Sequence, residues 1–392
     1  MKILYFSPHP HINLAAPSGP GTHMREVIAG FEEEGHEVIR FIAGGEKIDA
    51  SANTINFQRR PWKKWIPTFI WETLRDIQLM RLDQQIEERL ISVLEKENPD
   101  IIYERSCYAM GAGMRAAKKL GIRYVVEMNA PYPEEKAHMQ GKSLLHFLGA
   151  RHEKTQVENA YRTIVVSSAM KNYLIRKTGV NTERILVLAN AVNPAHIQSK
   201  ATSQTAIRDK FGISDSHTVF GFVGSIFPYH GVDIMIESFA TLEKEHNNLH
   251  LLIVGDGETL PNLRLRATEL NLENKIHFTG NVQHAEVYDY LAVMHITIMA
   301  KSNWYGSPVK IFEYGAMKKA IIAPRVVPVL DVMQHEIDGL LIEANQDELT
   351  SAMRFMIKNP EKRNRMAQAF HDKVMHDHTW TRVAQQILAS CQ

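Results

Sequence analysis

Ser302–Pro324, SNWYGSPVKIFEYGAMKKAIIAP, is the stretch from which the fold is read. It follows the apolar run Ile296–Ala300 and opens with small, polar and aromatic residues as far as Ser307. Pro308 has a fixed φ and no N–H, which suits the first turn of a helix. Val309, Ile311, Phe312, Ala316 and Met317 then recur at helical spacing up to Lys318 and Lys319. Ala320–Ala323 is a short buried strand, stopped by Pro324. The order is strand, Gly-Ser-Pro loop, helix, strand. Such a loop, at the carboxyl edge of a parallel sheet and leading into a helix N-terminus, seats a phosphate. The amides of Gly306 and Ser307 and the helix dipole supply partial positive charge, and Lys310 adds a full one. Glu313, one turn further on, can accept two hydrogen bonds from a vicinal diol such as a ribose.

These residues resemble the donor-site pattern of the family-4 retaining glycosyltransferases, in its G-S-P-x-K-x-x-E-Y variant. The resemblance implies an α/β fold of two doubly wound Rossmann-like domains facing a cleft, the GT-B type. It also implies a nucleotide-diphospho-sugar donor, from which a hexosyl unit passes with retention to an acceptor hydroxyl. The usual family pattern has a pair of glutamates; Glu313 stands in the second position, and Tyr305 in the first. By the same resemblance Glu313 holds the ribose, while Tyr305, Gly306, Ser307 and Pro308 line the sugar and diphosphate.

The chain has 392 residues, 44% of them hydrophobic, enough for two cores. A net charge of +1 gives no global attraction to nucleic acid or anionic lipid. Cys107 and Cys391 form neither a disulfide framework nor a metal pattern, which fits a reducing cytoplasm. The opening Met1–Phe6 is too short for a secretory signal, and no apolar run is long enough to cross a bilayer. The expectation is a cytoplasmic protein, with contact at the inner face of a membrane left open.

In the first half, Ile3–Phe6 reads as a strand, Ser7–Gly21 as a loop of small residues, Thr22–Glu34 as an amphipathic helix and Val38–Ala43 as a second strand. Gly19 and Gly21 match the loop that, in the family, approaches the donor. A dinucleotide-binding turn is the other reading of a Gly-x-Gly pair, but no acid closes the second strand here. Residues 53–81 interleave Phe57, Trp62, Trp65, Phe69 and Trp71 with Arg59, Arg60, Lys63, Lys64, Arg75 and Arg81. That composition suits a membrane interface or an anionic, lipid-linked acceptor, and equally an insertion packed on the first domain. Asp83–Glu97 reads as a helix and Tyr124–Met128 as a strand ending in Asn129-Ala130-Pro131-Tyr132-Pro133-Glu134-Glu135. Asn129 takes the place of the family's sugar-contacting histidine. Glu134 and Glu135 are acceptor-side candidates or simple helix-capping acids.

Asn190-Ala191-Val192-Asn193 resembles the family's N-G-V-D segment, and the polar run His196–Ile207 reads as a hinge. The expected domains are therefore 1–200, with a helix over 376–392 returning to it, and 201–375. In the second half Thr218–Val223 is a strand followed by Gly224-Ser225 and, further on, His230-Gly231. Ser225 and His230 replace family cations that neutralise the diphosphate, so His230 is a candidate diphosphate ligand and Lys310 the main remaining charge. The loop carrying Val282 pairs with the nucleobase in the family. Asp256-Gly257-Glu258 is better explained by helix capping than by a metal. The catalytic candidates are Lys310, Asn129 and His230; no metal and no cofactor beyond the donor substrate are expected. The rival readings are a nucleotide-sugar 2-epimerase and a non-catalytic nucleotide-sugar-binding protein.

Overall fold

The computed structural model describes residues 1–16, 18–47, 67–198 and 200–391. The chain divides into two compact units, Met1–Leu188 with Trp380–Gln392, and Ala189–Thr379. In the first, the order is β1 (Lys2–Ser7), α1 (Gly19–Glu33), β2 (Glu37–Ile42), α2 (Thr68–Glu97), β3 (Ile101–Arg105), α3 (Ala112–Leu120), β4 (Arg123–Met128), α4 (Tyr132–Met139), α5 (His146–Asn159), β5 (Arg162–Val165), α6 (Ser168–Thr178) and β6 (Ile185–Val187). The second continues with α7 (Ala201–Phe211), β7 (Thr218–Val223), α8 (Val232–Glu243), β8 (Leu249–Val254), α9 (Leu260–Glu269), β9 (Ile276–Phe278), α10 (His284–Val293) and β10 (Ile296–Ile298). It ends with α11 (Val309–Ala316), β11 (Ala320–Pro324), α12 (Val327–Leu330), β12 (Leu340–Ile342), α13 (Gln346–Lys358) and α14 (Pro360–Asp377). The final helix, α15 (Trp380–Cys391), belongs to the first unit and packs on α1, where Gly30 lies against the Trp380 carbonyl.

Each unit is built on a six-stranded parallel sheet, in the orders β2-β1-β3-β4-β5-β6 and β12-β11-β10-β7-β8-β9. Helices on both faces bury the strands, so strands such as LHLLIV in β8 are buried throughout and show no alternation. The second sheet has Phe220, Phe222 and Ile253 in one apolar cluster and Val219, Val223 and Leu252 in the other, on its opposite face. In each sheet the chain reverses its direction of growth once. These switch points lie between β1 and β3 in the first unit and between β7 and β10 in the second. Ligands of doubly wound sheets bind at the carboxyl ends of the strands flanking such a point.

The structure departs from the sequence expectations in several places. Residues 19–21 are the first turn of α1, not loop, because Ser18 accepts a hydrogen bond from the Gly21 amide and Pro20 suits the first turn. α2 begins at Thr68 instead of Asp83. Its first half escaped the apolar-period reading because the face it buries carries Glu72, Asp76 and Asp83. The expected hinge at 196–207 contains the start of α7. The division between units precedes it, at Leu188, because Asn190 is hydrogen-bonded to Ser307 in the second unit. Of the aromatic and cationic stretch 53–81, residues 53–66 lie outside the described residues. Pro308 caps α11 from outside, and its first helical residue is Val309.

The buried acids of α2 replace apolar contacts with polar ones. Asp83 accepts hydrogen bonds from the amides of Gly111 and Ala112, which begin α3, and from Arg115 at 2.8 Å. It is thus the cap that α3 lacks in its own sequence. Replacing it leaves two amides and part of a guanidinium without acceptors. Asp83→Ala is expected to destabilise the first unit by about 2–3 kcal/mol. Urea unfolding followed by a probe in that unit checks this, and a loss below about 0.5 kcal/mol would contradict the capping role.

Candidate functional site

At the switch point of the second sheet the strand-end turns are knitted together through backbone. Gly224 donates to Val254 O, Gly255 to Gly280 O, and Ile226 to Asp256 O, at 2.9–3.1 Å. Gly224 and Gly255 have φ of +136° and +134°, and a Cβ on Gly255 would stand 2.0 Å from the Gly224 oxygen. Both positions therefore require glycine. α11 docks on this platform through Tyr314, whose hydroxyl accepts from the Val223 amide at 2.9 Å.

That docking puts Lys310 where its amine is buried. Nζ lies 4.4 Å from the centre of the Phe222 ring and close to Gly224, and no hydrogen-bond acceptor reaches it among the described residues. Burial pushes its pKa down to about 7, with Glu313 pulling it back up. Glu313, one turn along α11, is pushed up to about 7 by burial, with Lys310 opposing. His230 is lowered to about 4, by burial and then by Lys310, while its hydrogen bond to the Ser225 carbonyl works the other way. Its Nδ1–H donates to that carbonyl at 2.6 Å. The neutral ring therefore has only a lone pair on Nε2 to offer. The expectation that neutral His230 donates to a diphosphate is corrected on this point: its one N–H is taken, and it can donate only as imidazolium.

The Gly-Ser-Pro loop is also wired differently from expectation. Asn303 Oδ1 accepts from the Gly306 amide at 2.6 Å and from the Tyr305 amide at 3.2 Å, an Asx turn. The Gly306 amide thus closes the loop and does not point outward. Ser307 is buried, its Oγ accepting from Asn190 N at 3.0 Å and its carbonyl accepting from Asn190 Nδ2 at 2.6 Å. Pro308 and Tyr305 are half-buried, Ser225 is exposed, and Val282 is half-buried in the turn before α10. So Ser225, His230, Tyr305, Gly306, Ser307, Pro308, Lys310 and Glu313 belong to the strand-end platform of the second unit, and Val282 follows β9 on the same sheet edge. Asn303 and Phe222 were not singled out from the sequence, and Asn190 was read only as part of the segment resembling N-G-V-D. Only Asn303, placed shortly before a glycine, carried a readable turn signal.

The remaining candidates belong to the first unit. Gly21 is required by packing, since a Cβ would lie 2.5 Å from Ala16 O, whereas Gly19 has open space around it. Asn129 follows β4 and is half-buried, and its Nδ2 donates to Glu127 Oε1 at 2.7 Å. Glu127 is fully buried and also meets His23, Tyr103 and Arg105. These partners hold its carboxylate down at about 2 against the effect of burial. An ionised carboxylate only accepts, so the amide orientation of Asn129 is fixed, with Oδ1 left for a ligand. Glu134 is tied to Tyr173 and to Lys177, which also meets Glu153, so α4 is stapled to α5 and α6. Glu135 lies in the same first turn of α4. Cys107 and Cys391 are buried and free, and among the described residues no group of His, Cys, Asp or Glu is placed to hold a metal ion.

Two family models match the chain: Glycosyltransferase Family 4 over residues 17–196 and Glycosyl transferases group 1 over residues 203–372. The chain is 22% identical to the alpha-D-kanosaminyltransferase of Streptomyces kanamyceticus, over 55% of its own length and 56% of that protein's. It thus spans about half the length of that relative. An uncharacterized glycosyltransferase of Methanocaldococcus jannaschii is 24% identical over 93% of this chain and 90% of its own. Among solved structures, Anabaena HepE in complex with UDP superposes with a TM-score of 0.75 at 17% identity, covering 100% of this chain and 99% of that one. Sucrose-phosphate synthase from Thermosynechococcus elongatus gives 0.73 at 16% identity, over 99% and 97%. Both similarities are of fold.

A lysine held at about 7 in the folded chain and at 10.5 when unfolded binds fewer protons folded than unfolded between those values. Its burial therefore costs stability most below pH 7, and the cost fades as pH rises toward 10.5. Lys310→Met should melt higher than the parent at pH 6, with the gap narrowing toward pH 10. Calorimetry across that range is the check; an unchanged or lower melting temperature at pH 6 would mean that the amine is solvated.

Proposed function

The chain belongs to the family-4 type of GT-B glycosyltransferases, and from that premise we propose that it moves a hexosyl unit, with retention, from a nucleotide-diphospho-sugar to an acceptor hydroxyl. The observation that carries the proposal is the Lys310 amine, buried with no acceptor among the described residues at the switch point where a phosphate would sit. Glu313, one turn deeper, is spaced to take the ribose hydroxyls. HepE, which shares the fold, was solved with UDP and with UDP-glucose, and this supports a donor of that class.

In this reading catalysis is chiefly electrostatic. As the glycosidic bond breaks, charge grows on the leaving diphosphate, and a nearby ammonium gains more in the transition state than in the ground state. Burial makes that gain larger, because no water screens it. The acceptor oxygen bonds to the anomeric carbon on the face from which the diphosphate leaves, which gives retention, and the departing phosphate oxygen takes the acceptor proton. The charge facing the diphosphate comes from Lys310, not from a divalent ion. An epimerase would need carboxylates where Tyr305 and Asn129 stand and is not favoured.

A diphosphate beside Lys310 raises its pKa from about 7 toward an ordinary lysine value. UDP binding at pH 8 should therefore take up close to one proton per site. Calorimetric titration in buffers of different ionisation enthalpy reads this directly. Uptake should vanish in Lys310→Met, and binding without uptake by the parent would sink the proposed role of the amine.

A second observation favours a membrane-bound acceptor. α2 and α5 leave Phe69, Ile70, Leu74 and Phe147 exposed, beside exposed Leu144, while the sequence just ahead of α2 carries Arg59, Arg60, Lys63 and Lys64. Apolar side chains flanked by cations suit the surface of an anionic bilayer. Relatives named as an alpha-monoglucosyldiacylglycerol synthase and a phosphatidylinositol N-acetylglucosaminyltransferase act, by those names, on lipids. No helix among the described residues is long and apolar enough to cross a membrane, so contact would be peripheral, at the cytoplasmic face. Leu74→Asp with Phe147→Asp should reduce co-sedimentation with phosphatidylglycerol vesicles at least fivefold. Equal sedimentation of parent and variant would remove the membrane from the account.

A further inference from the structure

The first sheet has its own switch point, between β1 and β3, and the side chains there are polar. Parallel register sets Tyr5 beside Tyr103, and Arg105 beside Glu127. Since side chains two apart share a face, Tyr5, Ser7, Tyr103, Arg105 and Glu127 all stand on one face of the sheet at its carboxyl edge. Tyr5 and Tyr103 stack with ring centres 5.6 Å apart.

These groups differ sharply in how they are satisfied. Glu127 is fully provided for by His23, Tyr103 and Asn129. Arg105, only 9% exposed, makes no hydrogen bond among the described residues; its Nη1 stands 3.5 Å from Glu127, and it has no other ion pair. Tyr5 Oη and Ser7 Oγ, both fully buried, also lack partners among the described residues. A buried guanidinium has five N–H donors to satisfy, and leaving such groups unpaired is costly. His9 nearby is pushed down to about 4, by burial first and then by His11, Arg105 and Arg75, so it is neutral and offers Arg105 no counter-charge. Glu127 is engaged by His23, Tyr103 and Asn129, and Arg105 comes no nearer to it than 3.5 Å, so most of the guanidinium N–H groups are left over.

We propose that Arg105, Ser7 and Tyr5 form a recognition site for an oxyanion, a carboxylate or a phosphate ester, carried by the acceptor beside its hydroxyls. A planar guanidinium binds either anion through two parallel N–H···O bonds, and the two hydroxyls supply further donors to the same oxygens. Asn129 Oδ1, fixed by Glu127, accepts from a neighbouring acceptor hydroxyl. The identification of the ligand as the acceptor rests on the glycosyltransferase reading; the anion preference does not.

The test titrates the intact protein with methyl β-glucuronoside, glycerol 1-phosphate and neutral methyl β-glucoside, with UDP as a separate titrant. At least one anionic probe should bind tenfold or more tightly than the neutral glucoside, and the tighter of the two tells carboxylate from phosphate. Arg105→Gln should abolish that preference, and Arg105→Lys should restore part of it. Ser7→Ala and Tyr5→Phe each remove an orphaned hydroxyl, so they should leave the melting temperature unchanged or higher while weakening the anionic probe several-fold. UDP affinity should be the same in every variant, since its proposed site lies in the other unit. No anion preference in the parent, or a preference untouched by Arg105→Gln, overturns the inference whatever UDP does. Loss of UDP binding by the parent would instead overturn the donor reading.

Discussion

An amine without an acceptor is the constraint that the second unit is built to meet. Lys310 is placed over the face of Phe222 and against a glycine, where the charge of Glu313 and a cation–π contact of about 1–2 kcal/mol compensate its burial in part. Much of the nearby design follows from keeping it there. Tyr314 fixes α11 to the end of β7, Asn303 closes the loop ahead of the helix, and Asn190 holds Ser307 from a distant part of the sequence. Gly224 and Gly255 let two strand ends approach closely enough to make a floor without side chains. The cost of a buried, weakly compensated cation is borne locally by well-satisfied neighbours, an arrangement expected where charge is to be presented to a ligand.

The first unit solves a comparable problem by the opposite means. Glu127 draws in His23, Tyr103 and Asn129, which fixes the orientation of Asn129, while Arg105 stands beside it with N–H groups to spare. One sheet edge thus presents a buried amine and the other a buried guanidinium, each without a hydrogen-bond acceptor among the described residues. Both stand at a switch point, where two neighbouring strands diverge into loops and leave room between them.

Much of this was legible in the sequence, and what was missed shares a physical cause. The strands and most helices of the second unit announced themselves because apolar runs and Gly or Pro punctuation agree there; β7 has the expected bounds, Thr218–Val223. Lys310 and Glu313 were readable because loop, helix and charge fall within one short segment. α2 was half missed because its buried face carries acids, whose partners Lys136, Ser143 and Arg115 come from elsewhere in the chain. Glu127 and Arg105 escaped notice for the same reason: inside a strand, a charged residue signals function only when the neighbouring strand is known. The assignment of outward-pointing amides to Gly306 failed because Asn303 competes for them, a local hydrogen bond that sequence alone leaves open.

The most direct test of the account is a crystal structure of the protein grown with UDP. The account predicts the β-phosphate at the carboxyl ends of β7 and β10, with Lys310 Nζ turned from the Phe222 ring to within hydrogen-bonding distance of a phosphate oxygen and both ribose hydroxyls on Glu313. Nucleotide bound elsewhere, or bound there with Lys310 still seated over Phe222, would contradict it.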